Sequence, residues 1–87
     1  MNADEMMYEA GFEKVNEYSN EDNVMYQCVT ENERWAVCFF KSYGIVNYSV
    51  SYSQWFETLG EWIKTDAIVD VKLHKAIHQV LLEHGWL

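Results

Sequence analysis

A chain of 87 residues can form one small domain, which we expect to span residues 1–87, and 49% hydrophobic content excludes a disordered chain. Its 14 acidic and 6 basic residues give a net charge of −8, which argues against nucleic acid as a direct ligand, because phosphate binding needs clustered Lys and Arg. No apolar run is long enough to cross a membrane, the acidic N-terminus does not resemble a signal peptide, and there are two cysteines, so we expect a cytoplasmic protein.

The first predicted element is a short helix over residues 3–10. Asn2 is suited to the N-cap, and acidic residues follow in the first turn, where the helix dipole favours them. Gly11 and the apolar residue after it fit a Schellman ending. An alternative helix that continues to Tyr18 would hold Gly11 in its interior at a cost of about 1 kcal/mol. We therefore favour a strand over residues 12–18.

The middle of the chain has the composition of an antiparallel sheet. Residues 24–30 and 34–40 are rich in β-branched and aromatic side chains, and a short loop over 31–33 joins these two predicted strands. Residues 45–52 alternate between apolar and small polar side chains, which is typical of a strand in a sheet with one solvent-exposed face.

The last third of the chain begins with an ambiguous segment and ends in a helix. Residues 53–64 are compatible with a short helix or with a hairpin that turns at Gly60, and we favour the hairpin. Asp70 is a good N-cap, and the apolar residues after it follow helical spacing. Gly85 and Trp86 repeat the Gly–aromatic ending of the first helix.

This order of elements predicts the fold class. A helix, three or four antiparallel strands and a second helix give an α+β fold of two layers. The C-terminal helix is expected to pack on one face of the sheet and to leave the other face open or partly covered.

The acidic residues are concentrated in the first third of the chain. Residues 1–33 hold nine acids and one base, whereas residues 34–87 hold five of each, so the first part carries the whole net charge. Such a concentration either keeps a small protein soluble or forms a docking surface for a basic partner. The acidic residues that we predict to bind a partner are Glu9, Glu13, Glu17, Glu21, Asp22, Glu31 and Glu33.

Nine aromatic side chains lie between Trp35 and Trp62. The core of a small domain takes part of them, and the surplus favours a protein interface, where Trp and Tyr are enriched. The aromatic residues that we predict to bind a partner are Trp35, Tyr43, Tyr48, Tyr52 and Trp55.

The sequence carries no strong catalytic or metal-binding pattern, and we expect no catalytic residue, metal or cofactor. His74 and His78 share a face of the predicted helix, but a zinc site needs further ligands, and a lysine stands where a zincin has its glutamate. The predicted register pairs Cys28 with Ala36, which leaves Cys38 in a diagonal position that is poor for a disulfide. We expect both cysteines to be small buried residues.

Both ends of the chain resemble small acidic proteins encoded in phages and prophages of Gram-positive bacteria. The resemblance is carried by Gly11-Phe12-Glu13-Lys14-Val15, by Leu73-His74-Lys75-Ala76-Ile77-His78 and by His84-Gly85-Trp86-Leu87. It implies a cytoplasmic protein of a mobile element, a setting in which small acidic proteins often inhibit host defence or transcription machinery, as anti-CRISPR proteins and other DNA mimics do. The shared motifs are helix endings, so they assign no binding residue.

Our leading hypothesis is a non-enzymatic protein that binds, and inhibits or modulates, a host or phage protein with a basic surface. In its sharper form, the carboxylates imitate DNA phosphates and occlude the groove of a nucleic-acid-binding protein. The alternative is a self-associating protein, a homodimer whose aromatic sheet face pairs with itself. A third and weaker hypothesis is a small metal- or Cys-dependent enzyme built on Cys28, His74 and His78.

Overall fold

The computed structural model describes residues 1–87 and contains two helices and a five-stranded antiparallel sheet in the order β1-β2-β3-β4-β5. The elements are α1 (Ala3–Glu9), β1 (Glu13–Lys14), a 3₁₀ turn (Asn16–Tyr18), β2 (Asn23–Val29), β3 (Glu33–Ser42), β4 (Ile45–Phe56), β5 (Glu61–Thr65) and α2 (Val71–Glu83). The predicted α+β class is confirmed, with five strands instead of three or four. Neither helix is long and apolar enough to span a membrane.

Helix α1 has the two ends that its sequence predicts. The Asn2 side chain accepts a hydrogen bond from the Glu5 N–H at 2.8 Å, and the Glu5 carboxylate accepts one from the Asn2 N–H at 3.1 Å, which forms a capping box. At the other end Gly11 adopts φ 97°, and the Phe12 N–H donates to the Met7 carbonyl at 2.9 Å. This Schellman ending excludes the longer alternative helix.

The predicted strand over residues 12–18 is wrong beyond its first residues. Only Glu13–Lys14 forms a strand, and the chain then turns through the 3₁₀ segment Asn16–Tyr18. The Ser19 hydroxyl explains the change: it donates to the Val15 carbonyl at 2.8 Å and accepts from the Met25 N–H at 3.2 Å. The Ser19 side chain thus supplies the acceptor for a β2 N–H group that the backbone of a neighbouring strand would otherwise supply.

The predicted register of the β2–β3 hairpin is wrong by one residue. Cys28 lies opposite Trp35 and not opposite Ala36. The reason is a longer loop, because the Thr30 N–H donates to the Glu33 carbonyl at 2.8 Å and the Glu33 N–H donates to the Thr30 hydroxyl at 3.1 Å. Since side chains alternate along a strand, Cys28 and Cys38 point to opposite faces. Both are free and half-buried, not buried as predicted.

Residues 53–64 form the predicted hairpin, between strands β4 and β5, and not a short helix. Trp55 pairs with Trp62, and Gly60 in the connecting turn adopts φ 63°. The preceding hairpin, between β3 and β4, turns through Tyr43 and Gly44, both at positive φ, as a two-residue type I′ turn requires. The predicted alternation over residues 45–52 is confirmed.

The two helices share one hydrophobic core with one face of the sheet, which we call the inner face. From α2, Leu73, Ala76, Ile77 and Val80 are buried, and the inner face supplies side chains of β2 and β3. The buried residues from the sheet are Val24, Tyr26, Val37 and Phe39. The opposite face, which we call the open face, has no helix over it.

Helix α2 also has the ends that its sequence predicts. Asp70 caps it by accepting from the Leu73 N–H at 2.8 Å, and the Trp86 N–H donates to the Leu81 carbonyl at 2.9 Å after Gly85 at φ 68°.

Candidate functional site

Four of the predicted acidic residues follow one edge of the sheet, and we call them the acidic edge. Glu13 lies on β1, the outermost strand, Glu17 on the 3₁₀ turn beside it, and Glu21 and Asp22 in the turn that leads into β2. All four side chains are exposed and have no hydrogen bond or salt bridge. Their charge is therefore not used by the fold.

The other three predicted acids lie elsewhere. Glu9 is exposed at the end of α1, and Glu31 is exposed in the β2–β3 loop. Glu31 and Glu33 are separated from the turn before β2 by the length of that strand, about 20 Å. Glu33 is half-buried and accepts a short hydrogen bond from the Tyr52 hydroxyl, which raises the pKa of Tyr52 above its usual value. Glu33 therefore has a structural partner, unlike the acidic edge.

Several acids outside the predicted set also have structural partners. Asp4 lies 3.7 Å from the Lys14 ammonium, in the only salt bridge of the protein, and accepts from the Tyr26 hydroxyl at 2.7 Å. Glu83 accepts from the Ala3 N–H at 2.7 Å. The contrast separates carboxylates that hold the helices in place from carboxylates that face only solvent.

The structure does not bring the five predicted aromatic residues onto one face. Trp35 and Tyr52 pack against each other on the inner face with ring centroids 4.3 Å apart, and Trp35 also packs against the buried core. Tyr48 is also on the inner face and is 49% exposed. Trp55 lies on the open face, and Tyr43 is fully exposed in the β3–β4 turn.

On the open face, Trp55 belongs to a cluster whose other two members, Arg34 and Trp62, were not among the predicted binding residues. The Arg34 guanidinium lies 3.9 Å from the centroid of the Trp62 ring, and Trp62 packs beside Trp55 at 5.6 Å. The rest of this face is flat, because its central side chains are small: Ala36, Cys38, Ser49, Ser51 and Ser53. This contact could have been predicted from the sequence, because a hairpin that turns at Gly60 places the two tryptophans on either side of it next to each other.

A shallow depression of about 420 Å³ borders the acidic edge. Glu17 and Tyr18 line one side of it, and Met25, Cys38 and Phe40 contribute apolar surface. It therefore offers nonpolar contact next to unpaired carboxylates.

The residues of the enzyme hypothesis lie on different surfaces. His74 and His78 are exposed on α2, whereas Cys28 lies on the inner face of the sheet. No group of three or more His, Cys, Asp or Glu side chains is placed to hold a metal ion. Burial raises the pKa of the Cys38 thiol, which disfavours its reactive thiolate.

In comparisons with known proteins, the chain matches no family model, no curated protein and no solved structure.

Proposed function

We propose that this protein is a non-enzymatic binding protein that docks its acidic edge on a basic surface of another protein. The observation that carries the proposal is the set of four exposed, unpaired carboxylates on one sheet edge. Complementary charge speeds association and selects a partner more than it supplies affinity. The apolar depression beside Glu17, lined by Tyr18 and Phe40, supports the proposal because it can supply the contact area that charge does not.

We further propose that the partner is a nucleic-acid-binding protein and that this protein inhibits or modulates it by occupying its phosphate-binding groove. Duplex DNA presents one charge per ~1.7 Å of axis, so a groove that receives DNA attracts closely spaced anions. The resemblance of the chain ends to phage and prophage proteins supports a bacterial host cytoplasm as the setting.

The experiment compares two matched triple variants, and each neutralises two glutamates and one aspartate. The edge variant carries Glu17→Gln, Glu21→Gln and Asp22→Asn. The control variant carries Glu57→Gln, Glu61→Gln and Asp66→Asn, three exposed acids in and beside β5, at the other side of the sheet. Each variant and the wild type are immobilised and exposed to a lysate of a Gram-positive bacterium, and the bound proteins are identified by mass spectrometry.

We expect wild type and the control variant to capture the same protein, the edge variant to lose it, and duplex DNA to release it. Equal capture by all three proteins would overturn docking through the acidic edge. Capture that requires the edge but resists competition by DNA would retain the docking surface and overturn the phosphate-groove assignment.

A further inference from the structure

Strand β4 is longer than the strand that covers its outer side. It pairs with β3 along Ile45 to Gln54, but β5 pairs only with Tyr52 to Phe56. After Thr65 the chain leaves the sheet towards α2. Residues 45–51 of β4 therefore form an open edge of the sheet.

The backbone groups that this edge presents follow from the alternation of an antiparallel ladder. The Trp55 N–H donates to the Asn32 carbonyl at 2.9 Å, on the β3 side, so odd-numbered residues of β4 direct their backbone groups towards β3. Even-numbered residues direct theirs outward. Val46, Tyr48 and Val50 therefore present N–H and C=O groups that have no strand to pair with.

Proteins usually protect such an edge with charged side chains, prolines, bulges or a covering element. The segment Ile45 to Ser51 contains no charged residue and no proline, and its residues are β-branched, aromatic or small and polar. The opposite edge, β1, is only two residues long, and both of its residues are charged. The open edge of β4 thus has the character of a strand that accepts a partner strand.

We propose that two copies of this chain pair antiparallel through the open edges of their β4 strands. Thr65 occupies the position opposite Tyr52, so the Tyr43–Gly44 turn of the second copy must end before it. Among the registers in which outward groups face outward groups, the longest one that satisfies this limit places Asn47 opposite Asn47 at the two-fold axis. Val46 then faces Tyr48 on the inner face, a β-branched–aromatic pair that stabilises sheets.

The distribution of charge permits this pairing despite the net charge of −8. Residues 34–87 carry no net charge, and no side chain between Ile45 and Ser51 is charged. The acidic edges lie on the far sides of the joined sheet, about seven strand spacings or ~34 Å apart. The dimer would present two acidic edges in one molecule, although the pairing itself does not rest on the proposed function.

The first test measures the mass of the wild-type protein by light scattering. About four backbone hydrogen bonds across the axis predict a weak dimer, so concentrations from about 10 µM to about 1 mM are needed. We expect the mean mass to rise above the monomer value of 10.3 kDa towards twice that value. A constant 10.3 kDa throughout would overturn the proposal.

The second test fixes the interface and its register by disulfide capture in a background of Cys28→Ser and Cys38→Ser. Asn47→Cys should form a covalent dimer on mild oxidation, because directly opposite residues of a non-hydrogen-bonded pair lie about 4.5 Å apart between Cα atoms. Ser49→Cys is the matched control: it is also exposed on the open face, but faces Ile45 of the second copy. Equal crosslinking of the two variants, or none in either, would overturn the proposed pairing.

Amide hydrogen exchange on the wild type gives an independent readout that needs no variant. With rising concentration, the amides of Val46 and Tyr48 should become at least about tenfold more protected, while the amides of Asn47 and Ser49, already bonded to β3, should not change. Association without this alternating pattern would contradict pairing through β4.

Discussion

The phenol of Tyr26 donates a hydrogen bond across 2.7 Å to the carboxylate of Asp4, which joins strand β2 to the first turn of α1. The Tyr26 side chain is only 1% exposed, and its ring packs edge-on against Phe39 at 6.2 Å. Asp4 in turn lies near the Lys14 ammonium. A single acid thus connects α1, β1 and β2.

Removal of the Tyr26 hydroxyl should destabilise the protein without changing its fold. We expect Tyr26→Phe to lower the free energy of unfolding at pH 7 by about 1–2 kcal/mol, because a hydrogen bond to a charged acceptor is lost. Tyr8→Phe is the control, since Tyr8 is 67% exposed and has no side-chain hydrogen bond. Urea unfolding followed by tryptophan fluorescence measures both. Equal stability of the two variants would show that the bond contributes nothing.

The same hydrogen bond predicts a loss of stability at alkaline pH. Burial of the phenol, its hydrogen bond to Asp4 and the nearby carboxylates raise the pKa of Tyr26 well above its usual value. The folded state therefore keeps a proton that the unfolded state releases above pH ~10, and each further pH unit costs up to about 1.4 kcal/mol. The stabilisation is complete below that pH and is lost as the pH rises.

Urea midpoints of wild type and Tyr26→Phe at pH 8 and pH 11 test this dependence. The variant should lose less stability between the two values than the wild type does. The variant should still lose some stability as the pH rises, because the pKa values of Cys38 and Tyr52 are also raised. An unchanged slope in the variant would contradict the assignment to Tyr26.

Glu83 near the end of α2 should stabilise the start of α1. Its carboxylate accepts from the Ala3 N–H at 2.7 Å and from the Gln79 amide at 2.8 Å, and the first N–H groups of a helix otherwise lack a partner. We expect Glu83→Ala to lower the stability by about 1 kcal/mol, or Tm by roughly 4–8 °C. Glu9→Ala, which removes an exposed and unpaired carboxylate, should shift Tm much less. A similar shift in both variants would argue against the contact.

The acidic edge should be dispensable for folding. Glu17, Glu21 and Asp22 have no side-chain partner, so the edge triple variant should match the wild type within about 0.5 kcal/mol or exceed it, because repulsion among like charges is relieved. Any gain should shrink as salt screens that repulsion. Chemical unfolding at low and high salt measures it, and a clear loss of stability would mean that these carboxylates serve the fold.

Local signals in the sequence were sufficient for the helix ends and for the face of β4. Asn2, Gly11 and Asp70 act through neighbours within a few residues, so their positions predict their roles. The end of β1 could not be predicted in this way. There the Ser19 hydroxyl accepts from the Met25 N–H, in place of the backbone of a longer strand, and the composition of the segment does not reveal a contact between residues this far apart. The register of Cys28 failed for a similar reason, since one extra loop residue inverts the faces of a strand.

The candidate surfaces were predictable only in part. The exposure of Glu13 and Glu17 follows from charge alone, but the place of Glu13 on the outermost strand and of Glu17 on the turn beside it depends on the order of the sheet. The predicted aromatic residues do not share a face, because Trp35 and Trp55 alternate onto opposite faces of the sheet. The helices cover only the inner face. The open edge at Tyr48 had no signal in the sequence, because it depends on where β5 ends.

The central claim is that the acidic edge is the docking surface for a basic partner. Its most direct test is the dissociation constant of the purified captured partner for the wild type and for the two triple variants at fixed ionic strength. We predict that the edge variant binds at least ~30-fold more weakly, about 2 kcal/mol, while the control variant stays within about twofold. Equal weakening by Glu57→Gln, Glu61→Gln and Asp66→Asn would contradict the claim, since total charge and not the edge would then determine binding.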